Sequence, residues 1–298
     1  MGKKVEIIEV GPRDGLQNEN QILSYQKRST LVKKLTNTGL KRIELGAFVS
    51  PARVPQMEDS LKVAKSCLKT QKDNKVIYSA LVPNLRGFQD FQKSGLKDAA
   101  VFASCTESFS QKNINCSIQE SFERFAPVIK EAKKNKIKVR GYLSTVFGCP
   151  FEGDVKPSTV VKYTKKLLAM GVYEVSLGDT IGVATPKQVK AVLSALVKAG
   201  VKPKQLAGHF HDTRGTALSN VVASLDFGLT KFDSSIGGLG GCPYAPGAAG
   251  NLATEDLVYC LEKMGYTTGV DLKSLTTVAR WLQNHIGHPV SSHLAMIP

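Results

Sequence analysis

Leu206-Ala207-Gly208-His209-Phe210-His211-Asp212-Thr213-Arg214-Gly215 reads as a short strand running into a helix start. Alternate residues of an extended segment face the same way, so His209 and His211 turn toward one point. The following Asp-Thr-Arg-Gly supplies the chemistry of a helix N-terminus, which places the pair where a strand meets a loop. The same strand-then-helix step recurs along the chain. Runs rich in β-formers occupy Val5 to Val10, Arg42 to Phe48, Lys75 to Val82, Ala99 to Cys105, Lys138 to Phe147, Glu174 to Asp179, Leu206 to His211 and Lys231 to Ile236. Between them, Tyr25 to Thr38, Ser117 to Asn135, Pro157 to Met170, Pro186 to Ala199 and Thr213 to Asp226 carry apolar residues at three- and four-residue spacing. Eight such units predict an α/β fold, a (β/α)8 TIM barrel. A doubly wound open sheet is the rival, but the glycine fingerprint after its first strand and a phosphate-binding loop are both missing. Asn251 to Met264 and Leu272 to Ile286 also read as helices, the second lying beyond the simple barrel. We therefore expect a catalytic barrel over 1–270 and a C-terminal helical extension over 271–298 packed on it.

A chain of 298 residues with 42% hydrophobic content can bury a large core and is not disordered. Its 40 basic and 25 acidic residues give a formal charge of +15, a field that attracts phosphates and acidic surfaces without naming a partner. Lys133, Lys134, Lys136 and Lys138 fit a solvated helix face and its exit, and no aromatic interleaving suggests base stacking. No nucleic acid and no membrane partner are expected, since no apolar span approaches membrane length. Cys67, Cys105, Cys116, Cys149, Cys242 and Cys260 form no C-x-x-C pair, so a reducing, cytoplasmic location is expected. The N-terminal residues lead straight into the first strand, with no targeting segment expected.

In a β/α barrel the loops after the strands build the active-site mouth. After the first strand comes Gly11-Pro12-Arg13-Asp14-Gly15-Leu16-Gln17-Asn18-Glu19, with an oxygen ligand in Asp14 and a permanent cation in Arg13. Glu44 lies on the second strand, and Asp179-Thr180 closes the sixth. After the eighth strand, the glycine-rich stretch Gly237 to Asn251 holds a thiol, Cys242, and an amide, Asn251. Each has an ordinary alternative. Asp14 could serve an Asx turn, Arg13 the surface, Asn251 the N-cap of the helix containing Glu255, and Cys242 simple packing. Two imidazoles, a carboxylate and an amide oxygen suit an octahedral divalent ion such as Mg²⁺ or Mn²⁺ better than zinc. Such an ion binds a hydroxyl and a neighbouring carbonyl and prepares a C–C bond for cleavage.

These stretches, with Phe48-Val49-Ser50-Pro51, Val54-Pro55-Gln56-Met57, Asn113-Ile114-Asn115-Cys116-Ser117, Ser176-Leu177-Gly178-Asp179-Thr180-Ile181-Gly182 and Gly240-Gly241-Cys242-Pro243-Tyr244 through Asn251-Leu252-Ala253-Thr254-Glu255-Asp256, resemble the 3-hydroxy-3-methylglutaryl-CoA lyase family over almost the whole chain. The resemblance implies a TIM-barrel lyase that splits its acyl-CoA into acetyl-CoA and acetoacetate, as in leucine degradation and ketone-body formation. It implies Asp14, His209, His211 and Asn251 as ligands of Mg²⁺ or Mn²⁺, Arg13 as enolate stabiliser, Cys242 as proton donor and His209 as an aid to proton transfer to or from the tertiary hydroxyl. Gln17, Glu44, Asp179, Thr180 and Glu255 become supporting residues, and a homodimer is expected. Arg214 and Thr216 stand where we expect Tyr and Gln, and Gly46-Ala47 where hydroxyl residues are frequent. Two other functions are weighed beside the lyase. One is an acyl-CoA-dependent condensing enzyme like citramalate or isopropylmalate synthase, and the other is a basic nucleic-acid-binding protein.

Overall fold

The computed structural model describes residues 2–71, 75–241 and 250–297. Eight strands follow the alternation read from the sequence: β1 Glu6–Glu9, β2 Arg42–Ala47, β3 Ile77–Leu81, β4 Asp98–Ser104, β5 Lys138–Ser144, β6 Val175–Asp179, β7 Leu206–Phe210 and β8 Lys231–Ser234. Each pairs in parallel with the next, and β8 returns to β1 with Glu6 opposite Lys231 and Glu9 opposite Ser234, closing the barrel. Closure leaves no sheet edge, and all positions of β2, β6 and β7 are buried.

The helices are α1 Tyr25–Asn37, α2 Ser60–Thr70, α3 Leu85–Gln92, α4 Glu107–Ile114, α5 Ile118–Lys134, α6 Pro157–Ala169, α7 Pro186–Lys198, α8 Ala217–Leu225, α9 Thr254–Lys263, α10 Leu272–Ile286 and α11 His293–Met296. Their starts follow local chemistry. Ser117 with Glu120 and Thr185 with Gln188 form reciprocal capping boxes at α5 and α7. The periodicity reading does not single out α2, α3 or α4, which are shorter than α5.

Three boundaries differ from the sequence expectation by three or more residues. The helix expected from Thr213 begins at Ala217, because Gly215 takes φ +68° and the Asp212 carboxylate accepts the Ala217 N–H at 2.9 Å. The helix expected from Asn251 begins at Thr254, and Asn251 instead bridges to His211. The fifth strand stops at Ser144, because the next residue, Thr145, adopts φ +56°, which extended pairing does not allow.

The barrel interior is partly charged. Buried Glu174 accepts from Arg140 Nε at 2.7 Å and from Lys231 Nζ at 2.5 Å, and Arg42 Nη1 lies 3.1 Å from it. Helix α10 packs on α1 and α9, burying Leu275, Val278, Ala279, Leu282 and Ile286 along one face. Its Trp281 packs against His285 with ring centroids 4.2 Å apart and the planes tilted by 30°, and Lys34 Nζ of α1 lies 5.5 Å from the indole. Beyond α10, the chain returns over the β1 and β8 loops. His288 reaches Glu19 at 2.6 Å, and Ser291 N–H donates to Gly237 O at 2.8 Å.

Candidate metal centre and active site

The β1 loop is a tight π-type turn, Gly11–Gly15, in which the N–H groups of Arg13, Asp14 and Gly15 all point at Val10 O. Such turns concentrate at functional sites because they re-aim side chains. Glu9 fixes the turn by accepting from Gly11 N–H at 2.7 Å and Ile236 N–H at 2.9 Å, so it ties the β1 loop to the β8 loop. Gly11 has no room for a side chain, since a Cβ there would lie 2.6 Å from Glu9 Oε1.

Asp14, His209 and His211 converge, with one ligand atom from each lying within 4.8 Å of the others. The two Nε2 atoms face each other at 3.3 Å, and His209 Nε2 is 3.8 Å from Asp14 Oδ2. Asn251 donates its amide nitrogen to Asp14 Oδ2 at 2.8 Å and to Leu239 O at 3.1 Å. Its oxygen is left buried and without a partner among the described residues. Two opposed ring nitrogens, a carboxylate and an orphaned amide oxygen are what a divalent cation would satisfy, so the residues fit the group. Burial works against the charge on Asp14, but Arg13, the two imidazoles and Asn251 hold its pKa down at about 2. Burial, then His209, lowers His211 to about 4, which keeps its ring available as a ligand at neutral pH.

Arg13 lies beside this cluster. Its Nε donates to Glu44 Oε2 at 2.6 Å and its Nη1 to Asp14 Oδ1 at 2.5 Å. Tyr142 O–H donates to the same Glu44 oxygen at 3.0 Å, and its ring lies 5.2 Å from the Arg13 guanidinium. Gln17 donates to Asp14 Oδ1 at 3.0 Å. Arg13, Asp14, Gln17 and Tyr142 border a cavity of about 660 Å³ whose wall includes Ala47, Leu81, Phe102, Leu143 and Thr180, with Arg53 and Arg124 also facing it.

Of the other residues singled out in the sequence, Thr180 shares the cavity wall and the described remainder hold the loops around it. Asp179 accepts from Val183 and Ala184 N–H at 2.9 and 3.1 Å, holding the β6 loop, and burial raises its pKa to about 6. Thr180 accepts from Thr145 N–H at 2.8 Å. Glu255 accepts from Gly237 N–H at 3.0 Å behind the β8 loop, and burial pushes it to about 8. Cys242 lies outside the described residues. Arg214 and Thr216 tie the β7 loop to the β6 loop through Ile181, Gly182 and Ala184 carbonyls. Tyr142 and Asp233 escape the sequence reading. The available signal is a polar side chain inside a short buried strand, with Arg140 and Tyr142 two apart on β5 and Asp233 within β8.

Fold and site together define a barrel enzyme whose chemistry gathers at the C-terminal ends of its strands around two histidines and a carboxylate. A family model described as HMGL-like matches residues 4–282, and the chain belongs to that family. It is 52% identical over 283 residues to the hydroxymethylglutaryl-CoA lyase of Pseudomonas mevalonii, covering 95% of this chain and 93% of the relative. The human mitochondrial hydroxymethylglutaryl-CoA lyase is 48% identical, covering 98% of this chain and 89% of that protein. The crystal structure of hydroxymethylglutaryl-CoA lyase from Pseudomonas aeruginosa superimposes with a TM-score of 0.95 at 48% identity, covering 99% of this chain and 97% of that one. The barrel and the lyase family expected from the sequence are thus borne out, and the chain is a carbon–carbon lyase rather than a condensing enzyme.

Proposed function

We propose that the chain cleaves 3-hydroxy-3-methylglutaryl-CoA to acetyl-CoA and acetoacetate, with Mg²⁺ or Mn²⁺ held by Asp14, His209, His211 and Asn251. The observation that carries this reading is the unpartnered Asn251 oxygen beside the two facing imidazoles and Asp14, with Arg13 next to them in the cavity wall. When bound, the cation polarises the tertiary hydroxyl and the oxygen beside it. The tertiary hydroxyl, acidified beside the ion, would give up its proton to solvent as the C2–C3 bond breaks, and His209, backed by the Asp233 carboxylate at 3.1 Å, assists that transfer. The bonding pair moves to the thioester enolate, and the hydroxyl carbon becomes the ketone of acetoacetate. Arg13, held in place by Glu44, stabilises the enolate oxygen, and Cys242 returns a proton to the enolate carbon. A lyase from Acinetobacter baumannii, 37% identical with a TM-score of 0.92 and covering 98% of this chain and 94% of that one, was solved with coenzyme A and 3-methylmalate. That supports an acyl-CoA as the small-molecule partner here.

Purified protein given the CoA thioester should release acetoacetate with Mg²⁺ or Mn²⁺. No release with either ion sinks the reading. Product formation from acetyl-CoA and 2-oxo acids would restore the condensing alternative. The absence of C-x-x-C pairs and five unbridged cysteines among the described residues support a cytoplasmic location. Among those residues no helix is long and apolar enough to cross a membrane.

A further inference from the structure

The two histidines of the cluster are supported differently. His211 Nδ1 is buried with no partner among the described residues, whereas His209 Nδ1 lies 3.1 Å from Asp233 Oδ2. Register places these two residues directly opposite each other on β7 and β8. Asp233 is itself tightly held. Arg140 Nη2 donates to Oδ1 at 2.7 Å and Nη1 to Oδ2 at 3.1 Å, and Ser176 O–H donates to Oδ2 at 2.7 Å. Arg140 is anchored in turn through its Nε to Glu174 at 2.7 Å. A carboxylate clamped by a two-pronged guanidinium and a hydroxyl can offer the imidazole only an acceptor.

We infer that Asp233, steadied by Arg140 and Ser176, is a positioning residue that keeps the ring hydrogen of His209 on Nδ1 and turns the Nε2 lone pair into the site. The inference rests on the assignment of His209 to the cation proposed above. It makes the charged barrel interior part of the active site's support: a chain runs from Glu174 through Arg140 and Asp233 to His209. Partners of this kind, behind a ligating imidazole, fix its tautomer and raise its basicity.

NMR of the ring nitrogens in metal-free protein reads the tautomer directly, and five histidines keep the spectrum assignable. The expected result is His209 with hydrogen on Nδ1 and none on Nε2. Asp233→Asn keeps the size of the side chain but can present N–H to the ring, so the tautomer should shift toward Nε2–H. Mn²⁺ affinity, read by electron paramagnetic resonance titration, should fall about 10- to 100-fold while far-UV circular dichroism stays unchanged. Ser176→Ala, which removes one donor to Asp233, should weaken Mn²⁺ binding in the same direction by less. A wild-type ring carrying its hydrogen on Nε2 overturns the inference, whether or not the variants fold. So does folded Asp233→Asn that binds Mn²⁺ as tightly as wild type. Neither readout involves acyl-CoA. The expected tautomer and Mn²⁺ loss without acetoacetate release would keep this inference and remove the proposed reaction.

Discussion

Asn251 carries more information in three dimensions than its neighbours in sequence suggest. Its position before an acidic helix start fits an N-cap, yet Ala253 occupies that place, the Asn251 amide joins Asp14 of the β1 loop to Leu239 O of the β8 loop, and its backbone bridges to His211. Cys242 is assigned from the resemblance alone, and its role is testable without knowing its geometry. Cys242→Ala should lower kcat by about 10²- to 10⁴-fold, the range of a lost proton donor, while Mn²⁺ affinity stays within about twofold. Unchanged turnover would make the thiol structural. Asp14, His209 and His211 were legible because ligand chemistry and spacing are written locally. Asp233 was not, since its meaning comes from register across β7 and β8, and a lone aspartate in a strand announces no partner.

The β1 and β8 loops are pinned from behind by two buried carboxyls, Glu9 and Glu255, rather than by apolar packing alone. Burial raises Glu9 to about 7 and Glu255 to about 8, from 4.5. Below pH 4.5 both states of the chain hold these protons. As the pH rises toward 8 the unfolded chain releases them first, so stability falls across that window by an amount on the order of a few kcal/mol. His288 and His293, raised by hydrogen bonds to Glu19 and Asp256, add to the fall above pH 6.5. His211, lowered to about 4, opposes it between about 4 and 6.5. Urea unfolding at pH 5 and pH 8 should show a clear loss in the wild type and a markedly smaller one in Glu255→Gln. Equal losses would mean that Glu255 is ionised in the folded loop. All eight strands could be read as elements from alternating composition, but their ends could not. Thr145 stops β5 through a backbone angle that its side chain does not advertise, and the α8 start moves because Gly215 turns left-handed.

Across the whole molecule, the charge of +15 sets how the barrel meets its surroundings. Arg53 and Arg124 face the cavity, and a basic field of this kind favours capture of phosphorylated substrates. Fluorescence anisotropy with random duplex DNA should show binding at low salt that disappears near physiological salt, the mark of nonspecific attraction. Retention at physiological salt would reopen a nucleic-acid role. Residues 271–298 we take as an extension packed on the 1–270 barrel, and α10 contributes the chain's single tryptophan at its contact with α1. Nature has thereby placed one emitter where the last helix meets the first. Trp281 sits against the His285 ring, so its brightness and wavelength register departure of α10 from its seat. In a thermal ramp, a red-shifted emission that precedes loss of far-UV ellipticity would show the extension leaving first. Coincident transitions would show that barrel and extension melt as one cooperative body.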